Sequence, residues 1–199
     1  GHKNCIVVID NYEEIKLFDQ VVDGNYNVGI RIASEEEPKF EFYTSRLGIG
    51  YKNIVPFYHS EIKNNPKVTL KMLHFFINTG IRDTAYYWNE LLKCMKVYVQ
   101  LKKECPSLDS LNIGGGFPIK NSLAFEYDYS YMVSEIIGQI KQVCNENNID
   151  VPNIFTEFGS FTVGESGGAL YEVLYQKQQN DREKWNMINS SFITTLPDS

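Results

Sequence analysis

Five short apolar or β-branched runs, each separated from the next by a helix-length stretch, constrain this chain more than any other feature. The runs are CIVVID (5–10), NVGIRIAS (27–34), KVTLKMLHFF (67–76), LDSLNI (108–113) and NIFTEF (153–158). Between them lie NYEEIKLFDQVV, IVPFYHSEIKNN, DTAYYWNELLKCMKVYVQLKKE and DYSYMVSEIIGQIKQVCNEN, where apolar residues recur at helical spacing, as at Ile15, Phe18 and Val22. Asn11, with Glu14 three residues on, predicts a loose capping box at the first helix. Strands separated by helices cannot pair as hairpins, so they are expected to be parallel and joined by crossovers. Near-continuous apolar runs suit such a sheet, which is covered on both faces. Two α/β architectures satisfy the pattern: a doubly wound open sheet and a (β/α) barrel.

Five units are too few for an eight-stranded barrel unless the chain is part of a longer one. Its start, GHKN rather than Met, and its end, TTLPDS, lead us to expect an internal fragment. After about residue 160 the helical periodicity stops. FTVGESGGALYEVLYQKQQN and KWNMINSSFITTL are rich in β-branched and aromatic residues, which predicts antiparallel β structure. The expected organisation is therefore a barrel part over 1–160 and the beginning of a β domain over 161–199.

Composition excludes several functions. The net charge is −6 and no block of lysine and arginine appears, which argues against nucleic acid and against a polybasic membrane anchor. No apolar run approaches the ~20 residues that span a bilayer. Cys5, Cys94, Cys105 and Cys144 form no Cys-x-x-Cys pair, and with no secretory signal they read as reduced thiols of a cytoplasmic protein. With three histidines, none at metal-site spacing from a cysteine, no metal site is expected.

In parallel α/β sheets chemistry sits at the C-terminal ends of the strands. Here those ends carry Asp10, then Arg31 and Ser34, then HFFINTG, GGGFP and TEFGS. Gly114, Gly115 and Gly116 suit either a tight turn or a backbone cradle for an anion such as phosphate. Glu157, at the end of a buried strand, needs a cation or hydrogen bonds; it pairs either with a neighbouring Arg or Lys or with a protonated cofactor ring nitrogen. His74 and Phe76 lie two apart and share a face, as core residues or as part of a site. Thr79 offers a hydroxyl to an anion or caps the following helix.

LNIGGGFP, followed some forty residues later by TEFGS, resembles the fold-type III decarboxylases that use pyridoxal phosphate, a group that includes the ornithine, diaminopimelate and arginine decarboxylases. GIRIAS…SRLGIG and LHFFINTGIRDT stand in the family's order, and LHFFINTGIRD and INSSFITTLPDS are most similar to the biosynthetic arginine decarboxylases. The resemblance implies an α/β fold: a partial (β/α)8 (TIM) barrel of alanine racemase type, about five strands of it here, with the start of a C-terminal β domain. It also implies that Gly114, Gly115, Gly116 and Thr79 bind the cofactor phosphate and that Glu157 pairs with the pyridinium nitrogen.

Two positions depart from the family pattern. Phe76 stands where the family's FH(V/L)GS has the histidine that stacks on the ring, and Ser160 stands where its E-x-G-R has arginine. The Schiff-base lysine of the family has no counterpart here, so no catalytic set is complete and the chain alone is expected to be inactive. The implied function is decarboxylation of a basic amino acid, arginine to agmatine in polyamine synthesis, by the full-length protein. A non-catalytic cofactor-binding relative and an unrelated phosphate-binding α/β domain are the alternatives. An incomplete barrel leaves strand edges unpaired, which predicts self-association into a homo-oligomer.

Overall fold

The computed structural model describes residues 4–34, 45–120 and 125–191. The N-terminal GHK and the last eight residues of INSSFITTLPDS lie outside them. The described chain divides into two compact units, Gly1–Gly164 and Glu165–Ser199.

In the first unit β1 (Ile6–Ile9), β2 (Tyr26–Ala33), β4 (Val68–Phe75), β5 (Ser110–Asn112) and β6 (Asn153–Phe155) pair in that order, all parallel. A two-residue strand β3 (Ile49–Gly50) also pairs with β2 and has no counterpart in the sequence reading. The intervals hold α1 (Glu14–Val21), α2 (Tyr51–Phe57), α3 (Ala85–Glu104) and α4 (Tyr129–Glu146); a short α5 (Gly159–Val163) follows β6. This is the parallel α/β order expected of a partial barrel, with a helix between each successive pair of the five main strands.

The strand register explains where the core and the site lie. Ile9, Ile30, Leu73, Leu111 and Ile154 form one continuous row across the five strands. The first four are completely buried, in one cluster with Ile54 and Phe57 of α2, Leu91 and Tyr98 of α3, and Met132 and Ile136 of α4. Side chains alternate along a strand, so the next row points the other way. That row is Arg31, His74, Asn112 and Phe155, and it carries three polar residues. One residue pair earlier, Gly29 lies between Val8 and Met72; a Cβ there would lie 3.2 Å from the Met72 Cβ and 3.4 Å from the Val8 Cγ2.

Helix boundaries differ from the sequence reading at two places. The first helix begins at Glu14 rather than at Asn11. The polar pair is still used: Asn11 Oδ1 accepts from the Glu13 N–H at 3.0 Å, and Glu14 Oε2 accepts from the Asn11 N–H at 3.3 Å. The second helix begins earlier, at Tyr51, and widens into a π turn over Tyr58–Ile62. Pro56 lies just ahead; it has no N–H to donate to the carbonyl four residues back, and its ring crowds that carbonyl. The backbone then continues with a wider Lys63 N–H to Tyr58 bond of 2.8 Å.

The second unit contains an antiparallel ribbon, β7 (Val173–Gln178) against β8 (Lys184–Ile188). Asn180 Oδ1 closes its turn by accepting from the N–H groups of Arg182 and Glu183. Tyr175 and Trp185 remain exposed on this ribbon, as a lone two-stranded hairpin cannot bury them.

Candidate cofactor-binding site

The loop after β5 is built by three separate close approaches. Gly114 and Gly116 have φ of 72° and 87°, where side chains are strained. A Cβ on Gly114 would lie 2.7 Å from the Phe75 carbonyl oxygen, one on Gly115 2.7 Å from that of Glu157, and one on Gly116 2.7 Å from the Gly80 Cα. Gly80, itself at φ 77°, is equally tight against the Gly116 carbonyl. What approaches the bare backbone is therefore the chain itself, at the ends of the two neighbouring strands. Bonds from Glu157 N–H to Gly114 at 2.9 Å and from Ile81 N–H to Gly116 at 2.9 Å fasten these loops together.

The same packing leaves donors over. The N–H groups of Gly115, which is buried, and of Gly116, which is exposed, have no acceptor among the described residues. A buried N–H without a protein partner is costly, and a water or an anion would satisfy it. The Cβ directions of the glycines face protein, as a close loop contact requires, and the Gly115 and Gly116 N–H groups have no partner among the described residues.

Glu157 lies beside this loop with its side chain half exposed. Its Oε1 accepts from Asn112 Nδ2 at 2.8 Å and lies 3.5 Å from His74 Nε2. Asn112 Oδ1 in turn accepts the Gly114 N–H at 2.8 Å. His74 is 6 % exposed, and neither ring nitrogen has a hydrogen-bond partner. Burial lowers its pKa; the Glu157 carboxylate acts in the opposite sense and Arg31 in the same one. Phe76 is half-buried two residues beyond, with the Arg31 guanidinium 6.0 Å above its ring and its carbonyl accepting the Ser34 hydroxyl at 2.8 Å.

The structure brings Gly114, Gly115, Gly116, Glu157 and His74 into one cluster. Phe76 is on its rim, packed where a Gly114 side chain would go. Thr79 is half-buried and directly precedes Gly80, so it belongs to the same loop group. It does not cap the following helix: Thr84 does, its hydroxyl accepting the Tyr87 N–H at 3.2 Å. Ser160 is exposed in α5, its carbonyl bonded to the Gly164 N–H, and among the described residues it makes no hydrogen bond to the cluster.

Sequence reading missed two supports. Asn112 is one; its signal was a polar residue on the inward row two positions before a glycine. The other is an aromatic group behind the loops: Phe117 stacks on Phe158 at 4.5 Å between ring centroids, with Tyr127, Tyr129 and Phe161 around Phe117. Phe117 follows the glycines directly and Phe158 follows Glu157 directly, so the stack braces one loop against the other.

The cluster fits pyridoxal phosphate by its donor set: unpaired N–H groups for an anion, and a half-exposed carboxylate for a cationic ring nitrogen. Comparison with known proteins agrees. Residues 2–164 match the family described as pyridoxal-dependent decarboxylase, pyridoxal binding domain. Among curated proteins, the biosynthetic arginine decarboxylase of Prochlorococcus marinus (strain MIT 9215) is 25% identical over 98% of this chain and 33% of its own length. That of Pelobacter propionicus is 29% identical over 60% of this chain and 20% of its own length. Two solved structures share the fold: diaminopimelate decarboxylase from M. jannaschii in co-complex with L-lysine (TM-score 0.73, 20% identity, 94% of this chain and 45% of that one) and lysine decarboxylase from Selenomonas ruminantium (TM-score 0.72, 19% identity, 94% and 47%). The chain spans about a third or less of these curated relatives and about half of the solved structures.

Proposed function

We propose that this chain, which belongs to the pyridoxal-dependent decarboxylase family, forms the part of a basic amino-acid decarboxylase that holds the phosphate and the ring nitrogen of pyridoxal phosphate. The observation that carries this reading is the meeting of the open Gly115 and Gly116 N–H groups with Glu157 across a single hydrogen-bonded loop contact. When bound, pyridoxal phosphate supplies an electron sink for the bond to the departing carboxylate. Gly115 and Gly116 orient the phosphate through backbone donors, with Thr79 beside them. Glu157 holds a proton at the ring nitrogen, because a carboxylate next to that atom favours its charged form. Phe76 offers an aromatic face and excludes water on its side of the loop. Arginine is the substrate favoured by the curated relatives, which are named biosynthetic arginine decarboxylases. The covalent lysine and the groups that sort side-chain length are assigned to the rest of a full-length protein, acting as a homo-oligomer.

The test is release of labelled CO2 from arginine, lysine, ornithine and diaminopimelate by the full-length protein with pyridoxal phosphate. Release above background from arginine, in preference to the others, is expected; none from any of them refutes the reading. Phe76 and Ser160 favour one second reading, a relative that binds the cofactor without turnover. It predicts a cofactor absorbance band with no CO2 release.

A further inference from the structure

We propose that Asn112 is the positioning residue of this site: its one amide ties Glu157 to the glycine loop and sets the direction of the carboxylate oxygen left for the cofactor ring nitrogen. This rests on the pyridoxal phosphate reading above. Asn112 ends β5 on the inward row and is buried. Its Nδ2 donates to Glu157 Oε1 at 2.8 Å and its Oδ1 accepts from the Gly114 N–H at 2.8 Å. The two partners fix the orientation of the amide, because turning it over would set donor against donor and acceptor against acceptor. Few other side chains can do both tasks. A carboxylate of the same shape has no donor for Glu157, and a hydroxyl offers a single atom at the end of a shorter arm.

The consequence for Glu157 is geometric. The Asn112 bond fixes one carboxylate oxygen and with it the orientation of the group that would face a ring N–H. Among the described residues, His74 Nε2 lies 3.5 Å from Oε1, its pKa lowered by burial and raised by Glu157, and Arg31 is paired in register with His74. Oε1 is committed to Asn112, whereas Oε2 has no partner among the described residues. The oxygen left over is the one available to a ring N–H, and its direction is set by the Asn112 bond on the other.

The test uses the full-length protein, with pyridoxal phosphate as the probe, in three forms: wild type, Asn112→Asp, and Asn112→Asp combined with Glu157→Gln. Affinity and the pH dependence of the bound cofactor's absorbance are read by titration, and folding by urea unfolding. Asn112→Asp keeps the acceptor for Gly114 but sets carboxylate against carboxylate. Affinity is expected to fall about ten-fold, and the spectral transition to move by about one pH unit or more. Adding Glu157→Gln restores a donor–acceptor pair with its direction reversed. The double variant is expected to recover the urea midpoint but not the wild-type spectral transition, since the carboxylate is gone. Should Asn112→Asp alone fail to fold, recovery of folding in the double variant supports the pairing, and no recovery overturns it. Wild-type affinity and an unmoved transition in Asn112→Asp overturn the role while leaving the cofactor reading intact. A loss of stability with an unmoved transition also overturns it, as that is a purely structural effect. A wild-type protein that binds no pyridoxal phosphate overturns the cofactor reading and this role with it.

Discussion

Replacing Gly115 with alanine separates packing from backbone strain. Unlike its two neighbours, Gly115 does not have a positive φ, so alanine meets only a steric obstacle. The new Cβ would lie 2.7 Å from the Glu157 carbonyl oxygen, about 0.7 Å short of ordinary contact at 3.4 Å. That oxygen is backbone and cannot swing aside, so the two loops must part. An opening of that size takes the Glu157 N–H to Gly114 bond, now 2.9 Å, out of hydrogen-bonding range. Losing it costs about 1 kcal/mol, and overpacking adds about 1–3 kcal/mol. The expected loss is roughly 2–4 kcal/mol, which for a chain of this size lowers Tm by very roughly 5–15 °C.

Urea and thermal unfolding of three variants provide the assay. Gly116→Ala is expected to lose at least as much as Gly115→Ala, because left-handed strain of ~1–2 kcal/mol joins the contact with Gly80. Gly138→Ala is the control: it lies inside α4 with nothing within 4 Å of its Cβ position, so alanine should stabilise by ~0.5–1 kcal/mol. If Gly115→Ala stays within about 0.5 kcal/mol of wild type, a typical surface effect, the close loop approach is not what the glycines are for.

Two other perturbations have signs fixed by the structure. Burial depresses the His74 pKa, so as pH falls through ~6.5 the unfolded chain takes up a proton that the folded chain refuses, and stability declines from there down to the folded-state pKa. The urea midpoint should fall between pH 7.5 and 5.5, and His74→Gln should flatten that slope; an unchanged slope refutes the assignment. On α3, Glu90 is fully buried and bonded to Lys93 Nζ at 2.9 Å and the Tyr51 hydroxyl at 2.9 Å. Lys93→Met should cost about 3 kcal/mol by removing that cation from a buried carboxylate, and a loss below ~1 kcal/mol in urea unfolding would show the pair to be surface-like.

The parallel order of the strands was legible because periodicity changes from strand to helix at every crossover, and only parallel pairing accommodates that. The row of Ile9, Ile30, Leu73 and Leu111 is the physical form of those apolar runs. The glycines and Glu157 were legible by position, at strand ends where parallel sheets keep their chemistry. Asn112 was not, because a polar residue two positions before a glycine is too weak a signal alone; its meaning comes from Glu157, 45 residues away. The Phe117–Phe158 stack was invisible for the same reason, since ring contacts across loops leave no spacing in the sequence.

The glycine triplet raised a choice between a tight turn and an anion cradle; the geometry shows the close backbone approach, and the proposed cradle would depend on it. Backbone N–H groups can point at a ligand only if the loop's other side is fixed, and here it is fixed by neighbouring backbone rather than by side chains. Any Cβ at 115 or 116 pushes against Glu157 or Gly80, so it would disturb the donors and the carboxylate together. Phosphate affinity and the placement of the Glu157 carboxylate are therefore expected to respond to the same substitutions. The departure at Phe76 acts elsewhere. Phe76 follows the last residue of β4, Phe75, so strand alternation with His74 does not extend to it, and the His74 imidazole lies 3.5 Å from the Glu157 carboxylate.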